Sequence, residues 1–211
     1  MKEAILKGVL AGLAYGMLLG PLFFLGLQVT LRRGLRNGLA LAAGAFISDA
    51  LLAAGGWWSA ARLLALVKEA QFQSVVGLIG ALLIIGFGIS ALRPHKESGA
   101  DLFAERPAKR RYSFMKGFAL NMANPSNWLF WLGLAAAAGA EAPEGIRYYT
   151  LVFLGAALSM VLTTDVAKII LAGKVGARLP PGLPGRIVQL AGAVLIAVGT
   201  WVLYKIIQGL L

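Results

Sequence analysis

The chain of 211 residues contains no cysteine and a single histidine, His95. Disulfides, thiolate metal sites and thiol redox chemistry are thereby excluded, and no histidine cluster can form. Acidic residues are scarce, 9 Asp and Glu against 20 Lys and Arg, and charged residues of both signs make up only 14%, whereas soluble domains carry about 25%. In a hydrophilic chain the net charge of +11 and pI of 10.4 would point to phosphate, whose counterions basic side chains displace. The mean hydropathy of +0.77 and a hydrophobic share of 59% argue against nucleic acid. A soluble domain is about 45–50% apolar even with glycine counted in. Sparse, one-sided charge on so apolar a chain is the composition of a membrane protein.

Uncharged runs define six spans: Gly8 to Leu31, Leu39 to Ala61 around Asp49, Ala70 to Leu92, Gly117 to Ala140, Tyr148 to Ala172 around Asp165 and Lys168, and Ile187 to Gln208 with Lys205 near its end. Each is at or near the roughly 20 residues that a helix needs to cross about 30 Å of hydrocarbon. The segment MKEAILKGVLAG opens like a signal peptide, but its apolar run continues to Leu31 without an A-x-A site, so it reads as a retained first span. The one long connection, 93–116, holds Pro94, Pro107 and the run Lys109-Arg110-Arg111. The expected fold is an all-α polytopic membrane protein of six transmembrane helices. Residues 1–92 form a first three-helix repeat, 93–116 a basic linker and 117–211 a second repeat.

Loops after spans one, three and five hold 13 Lys and Arg, against 6 on the other side. Cytoplasmic loops retain positive charge, which puts 93–116 in the cytoplasm and both termini outside. Trp57, Trp58, Tyr148, Tyr149, Trp201 and Tyr204 then fall at the outer interface, where amphipathic rings prefer to sit.

Spans one and four are interrupted by Gly20-Pro21 and Asn124-Pro125. Proline removes a helical hydrogen bond and clashes with the carbonyl four residues earlier, here Met17 and Asn121, so both helices kink or unwind there. Each half begins with an interrupted helix, and an odd number of spans per half inserts the halves in opposite senses. Paired interruptions in inverted halves point to a transporter's central site. Asn121, Asn124, Ser126 and Asn127 suit a polar cavity better than lipid.

Asp49 is the eleventh residue of its span, close to mid-membrane, where an ionised side chain costs at least about 2.5–3.5 kcal/mol. It reads as a proton site, as the counter-charge to a substrate amino group, or as a neutral Asp hydrogen-bonded between helices. Asp165 has Lys168 on its own helical face and reads either as a local ion pair or as the second-half partner of Asp49. Gln28, Ser48, Ser159, Thr163 and Thr164 are further polar residues within spans, Gln28 being taken as a direct ligand. Gly12, Gly16 and Gly20 at GxxxG spacing read as tight helix contacts or a homodimer face.

The combination of six spans, Gly20-Pro21 in the first, Asp49 after AAGAFIS, and FMKGFALNMANPSNWLFWL opening the second half resembles the LysE/RhtB family of bacterial amino-acid exporters. That family usually reads PGP and NPK where this chain has Leu19-Gly20-Pro21 and Asn124-Pro125-Ser126. The resemblance implies ion-coupled export of amino acids or related small polar metabolites across the bacterial inner membrane, with no enzymatic activity and no cofactor. The expected site residues are Asp49, Gly20, Pro21, Asn121, Asn124, Pro125, Gln28 and Asp165, with substrate, a coupling proton and membrane lipid as partners. Two alternatives stand beside it: a metal-ion exporter, and an intramembrane aspartyl protease using Asp49 and Asp165.

Overall fold

Lipid offers no hydrogen-bond partners, so a chain with this hydropathy must satisfy its backbone internally. The structure, a computed structural model, describes residues 1–18, 20–68, 70–92, 109–143, 148–176, 178–180 and 182–209. Among them every regular element is an α-helix: α1 (Lys2–Gly16), α2 (Pro21–Arg33), α3 (Leu35–Lys68), α4 (Ala70–Leu92), α5 (Arg110–Met122), α6 (Pro125–Glu141), α7 (Tyr148–Gly176) and α8 (Leu183–Ile207). The chain is an all-α polytopic membrane protein. Most of the linker, 93–108, lies outside the described residues.

The six expected spans correspond to six helical columns, two of them divided. Span one is α1 and α2, bent by 68° at their break, and span four is α5 and α6. By length and composition Leu35–Ser59, Tyr148–Gly176 and Leu183–Ile207 can each cross a membrane, and α1 with α2 pass as a fourth span. Among the described residues the other two columns do not meet that criterion. Helix α4 offers the apolar stretch Gly77–Ile89, and α5 opens on Arg110 and Arg111 and carries Lys116 and Asn121. Helix α3 runs past the expected end at Ala61, but Ser59 is non-helical at φ −152° and ψ 57°.

Glycine decides which helices meet. α1 lies along α7, α5 along α3 and α4 along α8. Gly8 and Gly12 face the carbonyls of Phe153 and Ala157, and Gly16 faces the Thr164 side chain. Gly44 and Gly117 face the carbonyls of Phe114 and Leu41 in the same manner. A methyl group at any of these would strike backbone or a neighbouring side chain, so the absence of a Cβ sets the interhelical distance. The Gly12 and Gly16 face, one candidate for a homodimer contact, is therefore occupied within the chain by α7. Gly20, the third member of that spacing, has open space where a Cβ would stand.

Candidate functional site

Both prolines occupy the first position of a new helix, Pro21 in α2 and Pro125 in α6. There the missing N–H costs nothing, because first-turn amides have no intrahelical acceptor in any case. The expected clash with Met17 and Asn121 is thus avoided by ending one helix and starting another. Gly20 is extended at the start of α2 and provides no capping side chain. At the second break the Asn124 side chain accepts from the Ser126 amide at 3.1 Å. Trp128 Nε1 donates to the Met122 carbonyl at 2.7 Å, and Asn127 Nδ2 to that of Asn121 at 3.4 Å. These side chains satisfy carbonyls that the end of α5 frees.

Asp49 lies across from this second break and is 2% exposed. Its Oδ1 accepts three hydrogen bonds, from Asn121 Nδ2 at 2.8 Å, Asn127 Nδ2 at 3.0 Å and Trp131 Nε1 at 2.8 Å. All three of these donors are neutral side-chain N–H groups, so protein dipoles solvate the carboxyl oxygen. Asn121 Nδ2 also reaches Ser48 Oγ at 2.7 Å and the Ala45 carbonyl at 3.1 Å. Tyr15 of α1 donates its hydroxyl to Asn127 Oδ1 at 2.6 Å, which turns the amide so that its nitrogen faces Asp49. The Tyr15 ring is in turn fixed by stacking on Phe130 at 3.8 Å between centroids.

A cavity of about 290 Å³ opens beside this cluster. It brings together Gly20, Pro21, Asp49, Asn121, Asn124 and Asp165. Pro125 sits next to it as the first residue of α6, whereas Gln28 is buried further along α2 and is absent from its wall. Asp165 is paired with Lys168 at 2.7 Å as the spacing suggested, and both line the cavity. Ser159, Thr163 and Thr164 spend their hydroxyls on carbonyls of their own helix, the usual local alternative for such residues.

Sequence reasoning missed Tyr15 and Trp131, and treated Asn127 only as one donor among several. Asn127 and Trp131 are four apart on one face of α6, a spacing that could have paired them. Nothing local marks Tyr15, because its partner is 112 residues away. The two carboxylates have separate partners, which gives no support to a dyad sharing one proton. Among the described residues no group of three or more His, Cys, Asp or Glu could hold a metal ion.

An all-helical multi-pass protein whose interrupted helices open on a polar chamber with a buried carboxylate has the build of a membrane transporter. The chain belongs to the LysE type translocator family, whose model matches residues 13–206. No curated protein and no solved structure matches the chain. Translocator membership defines it as a membrane transporter.

Proposed function

We propose that the chain is a secondary transporter exporting amino acids or related small polar metabolites across the bacterial inner membrane, coupled to an ion gradient by alternating access. The observation that carries this reading is the convergence of both helix breaks and Asp49 on one cavity. The starts of α2 and α6 bring positive helix-dipole ends to its wall, which favour a carboxylate. Asp49 holds the coupling proton and, once ionised, meets an ammonium group. α1 rests on α7 as α5 rests on α3, a reciprocity that supports treating 1–92 and 117–211 as inverted halves. Their rocking about the cavity exposes it to each side in turn, with 93–116 in the cytoplasm and both termini outside.

Counterflow of a labelled amino-acid panel in proteoliposomes under an imposed proton gradient tests this. Asp49→Asn keeps an oxygen acceptor for the three donors, so it folds but exchanges no substrate. Full-rate transport by that variant with unchanged pH dependence would remove Asp49 from the mechanism.

A further inference from the structure

The two ends of the helical bundle treat their charges differently. Where α1 begins and α6 finishes, Lys7 is bridged to Glu3 at 2.9 Å and to Glu141 at 2.8 Å. At the opposite end α2, α4 and α7 finish while α3, α5 and α8 begin, as the approaches of Gly173 to Leu35, Ser113 to Asn37 and Gly192 to Ala91 show. There Arg32 of α2 donates to the Ala91 carbonyl of α4. The Lys116 ammonium of α5 stands 5.0 Å from the centroid of the Phe87 ring of α4. Arg33, the last residue of α2, is near enough to Arg32 and to Lys116 for their charges to repel. All three cations are half-buried. A ring face or a carbonyl favours one cation at a time, and neither reverses the repulsion between cations, which a shared anion does.

Beside this cluster the same helices present apolar surface. Ile89 and Leu92 of α4 and Tyr112 and Met115 of α5 are exposed, and Gly86 has open space where a Cβ would stand. Basic groups at helix ends above an apolar helix face are the arrangement that anionic lipid fits. We propose that Arg33 and Lys116, with Arg32 beside them, bind the headgroup phosphate of an anionic phospholipid whose acyl chains follow the exposed faces of α4 and α5. A phosphate between Arg33 and Lys116 turns one repulsion into two attractions, with forked donors from the guanidinium and a point charge from the ammonium. The lipid thereby pins the end of α2 to α5. The site stands independently of what the central cavity carries.

The test follows thermal unfolding of the purified full chain in a neutral detergent as phosphatidylglycerol, phosphatidylcholine or glycerol 3-phosphate is added. Phosphatidylglycerol is expected to raise the midpoint at concentrations about tenfold or more below those at which phosphatidylcholine acts. Glycerol 3-phosphate, which lacks acyl chains, should have no effect over the same range. Arg33→Gln with Lys116→Gln should raise the half-effective concentration of phosphatidylglycerol by about tenfold or more, and Arg33→Lys with Lys116→Arg should retain the response. Lys174→Gln with Arg186→Gln removes equal charge from the same end of the bundle, on α7 and α8, and should change the response by about twofold at most. Equal weakening by the two Gln pairs would show diffuse attraction to a basic end and overturn the site, as would equal action of the two lipids. Stabilisation by glycerol 3-phosphate equal to that by phosphatidylglycerol would assign the site to a soluble phosphate and overturn the lipid. If Arg33→Gln with Lys116→Gln does not fold, Arg33→Gln alone decides against Lys174→Gln alone, with about fivefold weakening expected only in the former.

Discussion

The two interrupted helices share a proline at the first position of their second segment and differ in almost everything else. At the first break Gly20 is extended, carries no cap, and has open space around the position of a Cβ. At the second, Asn124 caps α6, Trp128 and Asn127 take carbonyls of α5, and Asn121, Asn127 and Trp131 all reach Asp49. Among the described residues, the first break turns uncapped backbone at Gly20 to the cavity, and the second is a braced scaffold holding a carboxylate. Chain interruptions of the same kind thus serve different ends, according to whether side chains or the cavity's contents meet the exposed backbone groups.

That contrast predicts a graded response to substitution. The largest effect is expected at Asn127→Leu, which removes a donor to Asp49 and the acceptor of the Tyr15 hydroxyl. Hydrogen bonds to charged groups are worth about 1.5–3 kcal/mol, so thermal unfolding in detergent should show a loss of at least that size. An unchanged midpoint would mean that the second break is not braced through Asp49. Next comes Gly44→Ala, outside either break, where the new methyl meets the Phe114 carbonyl. Overpacking of this kind costs about 1–3 kcal/mol, readable in the same assay as a loosened α3 to α5 contact.

Asn124→Ala should cost about 1 kcal/mol through loss of the helix cap. The smallest effect, and the one that sharpens the comparison most, belongs to Gly20→Asn. Supplying the first break with the cap it lacks should stabilise by a few tenths of a kcal/mol without obstructing helix contacts. A large destabilisation there would show that the bare break is under steric constraint after all.

Much of the fold was legible because membrane helices are dictated locally. Ala70 to Leu92 is both the uncharged run and the observed α4, and both breaks fall where proline forbids a continuous helix. The pairing of Asp165 with Lys168 followed from three-residue spacing alone. Six of the eight expected site residues line the cavity, since polar side chains within spans have few places to go other than protein interior or water. Gln28 does not line it, and its burial on α2 depends on a neighbouring surface that no local pattern describes. Tyr15 and Trp131 were passed over because an aromatic residue in an apolar run looks the same whether it faces lipid or donates a hydrogen bond.

The sequence by itself determined that this protein is helical, membrane-spanning and broken at two places, because hydropathy, charge and proline geometry act within a few residues of chain. Only the tertiary structure decided that Asp49 is met by donors 72, 78 and 82 residues away, and that Lys168 shares its cavity. Those meetings depend on which helix faces are brought together, and the glycines at Gly12, Gly44 and Gly117 set them by letting backbone approach backbone. Such a choice is the sum of many weak contacts between distant segments, and no single stretch of chain carries it.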